Sequence, residues 1–351
     1  MSSVGLPEEV ARVRELDGVR ALAVIGVIAS HSGLFNLGWI GVDVFFGLSG
    51  YLITGILLDA KVPGVVARQY FGSFYMRRAL RILPLAWAFL VIVCIYRDEW
   101  RGFGWYLGYA VNWLPASPPP RDLGHYWSLA VEEQFYLFWP ALVFFASRAI
   151  LLRATLLLIA LDVILRLAVS LWMVDSTTEQ FRDLASFARA DTLLVGALLA
   201  QRERSGGWGR EVQWALPVAL LAFAGIVAIR YLENHGAPDP ITYNLKWPLI
   251  AVAVGASLLV VLTRPPRALR WGWLVWIGKV SYGVYVIHAV FGRWLHQRYS
   301  LEQAPIIFLV QLGVTLPLAA LSWYCFESPI LRFKRSWPMP SRERPRLGSP
   351  R

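Results

Sequence analysis

Arg20 and His31 lie in the apolar run LDGVRALAVIGVIASH, residues 16–31. Ionisable groups inside a membrane-spanning helix are costly and mark function. Eleven residues of α-helix make three turns plus about 20°, so the two side chains point the same way, about 16 Å apart along the axis. Taken singly, Arg20 reads as a snorkelling interfacial residue and His31 as a satisfied core histidine. Other polar residues at helical spacing argue against taking them singly. GWIGVDVFFGLSGYLIT sets Asp43 near the start of the second apolar run. HYWSLAVEEQFYLFWP places Ser128, Glu132 and Tyr136 at i, i+4 and i+8, one helix face, with Glu133 turned elsewhere to solvent or a structural role. GKVSYGVYVIHAV puts Ser281, Tyr285 and His288 at i, i+4 and i+7. SFARADTLLVGALLA carries Arg189 and Asp191 at one span mouth, where an ion pair with neighbouring helices is expected. FYMRRALRILP gathers Arg77, Arg78 and Arg81 where a further span begins. Arg78 and Arg81 share a face, and guanidinium forks match phosphate oxygens, although basic residues also anchor spans.

The elements that position these residues follow from composition. The chain has 351 residues, of which 57% are hydrophobic and 16% charged, and its mean hydropathy is +0.50. Soluble domains carry about a quarter charged residues, so the chain reads as an all-α polytopic membrane protein. Runs of about 20 apolar residues can cross the hydrocarbon. Ten are expected, near 18–35, 38–58, 80–96, 127–147, 152–173, 185–201, 213–230, 247–263, 273–296 and 305–326. The mixed-charge stretch before the first makes it a span, not a cleaved signal peptide. The aromatic stretch FGWYLGYAVNWLP (103–115) is expected not to cross, forming an external or re-entrant loop within 97–126. With ten spans, connections on one side hold 20 Lys and Arg and those on the other 8. The positive-inside rule then puts both termini in the cytoplasm. His31, Asp43, Glu132 and His288 fall in the outer half and are expected to share one polar chamber. The net charge of +11 resides in loops and tail, as membrane orientation requires, and calls for no nucleic acid. Cys94 and Cys325 have neither disulfide-framework nor metal spacing. The expected organisation is a cytoplasmic segment 1–14, a transmembrane domain 15–331 and a basic, disordered cytoplasmic tail 332–351, without internal repeats.

These motifs, in this order, resemble the membrane acyltransferase-3 family. The resemblance covers about residues 14–330. It rests on LDGVRALAVIGVIASH (the Arg–x10–His signature), GVDVFFGLSGYLIT, FYMRRALRILP, WSLAVEEQFYLFWP, RADTLLVGALLA, SYGVYVIH and the closing FESP at 326–329. It implies an integral plasma-membrane O-acyltransferase with a ten-span core and cytoplasmic ends. The implied donor is an acyl-CoA, commonly acetyl-CoA, and no cofactor is permanently bound. The acceptor is a hydroxyl, first of a cell-surface or lipid-linked carbohydrate, alternatively of a small secondary metabolite such as a macrolide sugar. The resemblance carries over Arg20, His31, Asp43, Arg78, Arg81 and Glu132 as important positions, with His31 catalytic. Some relatives carry a fused esterase-like domain, and transfer here is expected to need none.

On this reading His31 takes the alcohol proton, with Glu132 or Asp43 orienting its ring. Arg78 and Arg81, with Arg77 and Arg20 beside them, hold the CoA phosphates at the cytoplasmic mouth. Ser128, Tyr136, Arg189, Asp191, Ser281, Tyr285 and His288 form the supporting polar cluster. Direct transfer and a covalent acyl-histidine both fit. Two alternatives come from other classes: a proton-coupled transporter, since paired polar residues also mark proton paths, and a metal-dependent hydrolase, which the absence of His-x3-His spacing disfavours.

Overall fold

The computed structural model describes residues 14–114, 120–172, 185–236 and 240–340. Residues 1–13 of the expected N-terminal segment and 341–351 of the expected tail lie outside the described residues. Among the described residues ten long helices carry the fold: α1 (Arg14–His31), α2 (Gly41–Ala60), α3 (Ala67–Arg97), α4 (Tyr126–Phe145), α5 (Arg148–Trp172), α6 (Asp191–Arg204), α7 (Glu211–His235), α8 (Pro240–Thr263), α9 (Gly272–His296) and α10 (Ala304–Ser322). No strand occurs among the described residues. Contacts at the helix ends fix an alternating direction. His31, ending α1, meets His296, ending α9, and Arg204, ending α6, pairs with Asp59, ending α2. The end of the bundle where α1 starts is termed proximal, and the end where α1 finishes distal.

Seven of these helices are long and apolar enough to cross a membrane: α2, α3, α5 and α7–α10. The expected ten crossings therefore stand at seven by length and composition. The other three are polar or short for physical reasons. The first two turns of α1 hold Arg14, Glu15, Asp17 and Arg20, α4 carries Glu132 and Glu133, and α6 has 14 residues. Each packs against apolar helices: α1 against α9 and α2, α6 against α2, α5 and α8, and α4 against α2.

Without a hydrophobic drive between helices in lipid, close backbone approach at small residues holds them together. A Cβ on Gly50 would lie 1.8 Å from the Leu193 carbonyl oxygen, and one on Gly278 would lie 1.9 Å from that of Asp17. The first contact clamps α2 on α6. The second clamps α9 on α1 and brings the faces bearing His31 and His288 together.

The described part of the 97–126 segment holds no helix long enough to cross. It forms a short helix, Phe103–Leu107, and a turn, Val111–Trp113, that fold against the bundle. Gln134, about 12 Å along α4 from its start, donates to the Tyr109 carbonyl at 2.8 Å and to Asn112 Oδ1 at 2.9 Å. Non-helical backbone at that depth is tolerable because protein satisfies it.

Candidate active site

A cavity of about 360 Å³, termed the proximal cavity, runs from the proximal end among α1, α3, α9 and the segment after α10 into the first halves of α2 and α4, which begin distally. Five cations line it, Arg20, Arg78, Arg81, Lys279 and Lys334, against two carboxylates, Asp17 and Glu132. The expected helix face of α4 is present: Ser128, Glu132 and Tyr136 all line this space, as do Ser281 and Tyr285 of α9. Glu132 accepts from the Ser49 hydroxyl at 2.6 Å. Arg78 stacks over the Tyr136 ring at 5.7 Å. Arg20 donates to Asp17 at 2.7 Å, within one turn of α1. Arg77 diverges from its neighbours: it donates to the Lys334 and Trp337 carbonyls at 3.2 and 3.4 Å and does not line the cavity. It fastens the C-terminal turn, because it lies off the face shared by Arg78 and Arg81.

A second cavity, of about 410 Å³, lies at the distal end and is lined by His31, His125, His296, Asp122 and Arg293, among others. Four of the chain's five histidines meet there or just behind it. His288 is fully buried, and its ring centroid lies 4.8 Å from that of His31 and 5.1 Å from that of His125.

The hydrogen bonds assign the tautomers. His288 Nδ1 lies 2.6 Å from the Tyr285 carbonyl. A carbonyl only accepts, so Nδ1 carries the proton. Neutral His288 then accepts at Nε2, 3.2 Å from His31 Nδ1. His31 is thereby a Nδ1–H tautomer whose Nε2 keeps a free lone pair. By the same logic His296 Nε2 donates to the His31 carbonyl at 2.6 Å, and His125 Nε2 donates to the Val286 carbonyl at 3.0 Å.

The two cavities are separated by little. Ser128 Oγ and Tyr285 Oη lie 2.5 Å apart. Tyr285 lines the proximal cavity, while its ring is 5.4 Å from His288 and 5.5 Å from His125. A cationic chamber and a histidine chamber thus stand back to back across one layer of side chains.

This arrangement corrects the single polar chamber expected from sequence. His31 and His288 belong to the distal cluster and Glu132 to the proximal cavity. Among the described residues neither expected carboxylate hydrogen-bonds His31, whose Nδ1 lies 3.2 Å from His288 Nε2. Asp43, 2% exposed, pairs with Arg189 at 2.9 Å. Arg189 also stacks 4.1 Å over Trp247, and Asp191 pairs with Arg166 at 2.8 Å, so the ion pairs expected for Arg189 and Asp191 are present and interhelical. Glu133 is half-buried, its Oε1 lying buried without a hydrogen-bond partner among the described residues.

Sequence reasoning missed His125, His296, Ser49, Lys279 and Lys334. His125 stands at the head of the HYWSLAVEEQF motif, but at a helix start it reads as interfacial. His296 ends α9 eight residues after His288, where a histidine reads as a favourable charge for the helix terminus. Only contact across helices reveals their role.

Among proteins of known name, the chain is 31% identical over 361 residues to a peptidoglycan O-acetyltransferase of Listeria monocytogenes, covering 91% of this chain and 56% of that protein. It is 29% identical to a Bacillus subtilis protein provisionally named a peptidoglycan O-acetyltransferase, over 90% of this chain and 54% of the relative. A Staphylococcus aureus protein provisionally named an O-acetyltransferase is 28% identical over 90% and 56%. The chain spans about half the length of these curated relatives. No solved structure matches it significantly. The profile of the acyltransferase-3 family, described as "Acyltransferase domain", matches residues 13–324. By this match the chain belongs to the acyltransferase-3 family.

Proposed function

We propose that the chain is an O-acetyltransferase of the plasma membrane, carrying an acetyl group from cytoplasmic acetyl-CoA to a hydroxyl of a cell-surface or lipid-linked carbohydrate. The observation that carries this reading is the pair of back-to-back cavities, cationic on one side and histidine-lined on the other. The charge bias of the connections makes the proximal face cytoplasmic, with ten crossings and both ends inside. Arg20, Arg78, Arg81, Lys279 and Lys334 are then the natural ligands of a nucleotide bearing several phosphates. The pantetheine arm runs along the Ser128–Tyr285 contact, which parts to bring the thioester to His31. The glycan names of the relatives favour a carbohydrate acceptor arriving from the distal side.

The chemistry is general-base acyl transfer. The acceptor oxygen bonds to the thioester carbonyl carbon as its proton passes to His31 Nε2. The tetrahedral adduct collapses, the carbon–sulfur bond breaks, and the imidazolium returns the proton to the departing thiolate. The products are an ester and the free thiol of CoA. His288 serves where a carboxylate would stand in a triad: it fixes the tautomer and orientation of His31.

Mass spectrometry of surface glycans from cells with and without the gene tests the acceptor class. The expected result is one added acetyl unit per modified sugar, lost with the gene and restored by the wild-type chain. Glycans identical in both strains, with acetyl transfer found instead on small extracted metabolites, would overturn the carbohydrate assignment.

A further inference from the structure

The closing FESP motif takes no part in the reaction described above, yet its Glu327 pairs with Arg81, which lines the donor cavity. After α10 the helix widens into a single π-type turn, Trp323–Glu327. Such turns are uncommon and occur often at functional sites. This one turns two side chains toward Arg81. The Arg81 guanidinium lies near two rings, 5.5 Å from the Tyr282 centroid and 5.2 Å from that of Trp323. Glu327 pairs with it by charge, Oε2 lying 3.5 Å from Arg81 Nη1, and this buried oxygen takes no hydrogen bond among the described residues. Glu327 is only 5% exposed and is held in turn by the Ser322 hydroxyl at 3.2 Å. Tyr282 is fixed by donating to the Ile82 carbonyl at 2.6 Å. Arg81 thus contacts two rings and one carboxylate while lining the cavity.

We propose that Glu327 is a positioning residue for donor binding: with Trp323 and Tyr282 it holds Arg81 as a pre-formed fork for a phosphate of the CoA nucleotide. The inference rests on the donor-site reading above and adds to it a residue that touches no substrate. A guanidinium fixed before binding loses less freedom when the phosphate arrives. Two effects of Glu327 oppose each other. Its negative charge weakens the pull of Arg81 on an anion, whereas its hold on the guanidinium aids binding. Removing the carboxylate charge therefore has opposite consequences under the two accounts, and the sign decides.

The experiment measures binding of CoA and of S-acetylpantetheine, which lacks the nucleotide phosphates, to purified wild-type, Glu327→Gln, Arg81→Ala and double-variant proteins. In the wild type CoA binds more tightly than S-acetylpantetheine. In Glu327→Gln, CoA affinity falls about three- to tenfold while S-acetylpantetheine affinity holds; the latter also certifies that the protein is folded. In the Arg81→Ala background, Glu327→Gln has no further effect on CoA. Unchanged or tighter CoA binding by Glu327→Gln overturns the proposal, as does an equal loss with and without Arg81. A Glu327→Gln protein that fails to fold is replaced by Ser322→Ala, which loosens Glu327 and moves CoA affinity in the same direction by a smaller factor; no change there also overturns it. Failure of the donor-site reading looks different: the wild type itself then binds CoA no better than S-acetylpantetheine.

Discussion

At the scale of single residues, the geometry makes different demands on His31, His288 and Asp43. His31 offers a free Nε2 lone pair to the distal cavity, and its loss removes the base. Positioned acid–base groups contribute roughly 10²- to 10⁴-fold, so His31→Ala is expected to lose about that factor in transfer while keeping normal membrane abundance. His288 acts only through what it donates and accepts. Asparagine supplies one donor and one acceptor in the same plane, so His288→Asn is expected to retain more activity than His288→Leu. Wild-type turnover by an abundant His288→Leu protein would remove the tautomer argument. Asp43 behaves differently because it is buried against Arg189. Removing one partner of a buried ion pair typically costs 3–5 kcal/mol. Asp43→Asn is therefore expected to reduce folded protein in thermal-stability assays more than turnover per folded molecule. The reverse, stable but inactive protein, would return Asp43 to the chemistry.

At the scale of elements, the helices were legible because apolar runs bounded by charged connections leave few alternatives. The faces of α4 and α9 were legible too, since Ser128, Glu132 and Tyr136 line the same wall. What periodicity could not give is which helix each face meets. Spacing fixes rotation about an axis, whereas the assignment of Glu132 to the proximal cavity and of His31 to the distal one depends on how helices stagger. That stagger is set by backbone contacts such as Gly50 on Leu193 and Gly278 on Asp17, to which hydropathy patterns are blind. The contacts are testable directly. A valine at Gly50 would place its Cβ well inside the Leu193 carbonyl, and neither backbone can yield without separating α2 from α6. Overpacking of this kind commonly costs 1–3 kcal/mol or more. Gly50→Val is expected to unfold at lower temperature in detergent, whereas valine at Gly313, which has open space beside it, is expected to leave stability unchanged. Equal melting of the two variants would refute the close-packing account.

At the scale of the whole molecule, the question is how many of the ten alternating helices cross the bilayer. Helix α6 is about 21 Å long against a hydrocarbon core of roughly 30 Å. It can still span where neighbours sheathe it, and its Arg189–Asp191 mouth is sealed by buried pairs to α2 and α5. Helix α4 carries two glutamates: Glu132 faces a cavity and not lipid, which removes the cost of a charge in hydrocarbon there, and the Oε1 of Glu133 is shielded within the protein. Both are therefore expected to cross. Single cysteines at Trp100, Ser147, Ser205 and Ser300, each in a Cys94→Ala, Cys325→Ala background, separate the possibilities by parity. Between Trp100 and Ser147 lies α4 alone; between Ser147 and Ser205 lie α5 and α6; between Ser205 and Ser300 lie three apolar helices. If all ten cross with cytoplasmic ends, a membrane-impermeant thiol reagent on intact cells labels positions 100 and 300 and spares 147 and 205. If α4 and α6 stay on one side, position 147 becomes labelled along with 100 and 300. Labelling of 147 and 205 alone would invert the orientation, putting the arginine-lined cavity outside and beyond the reach of cytoplasmic CoA.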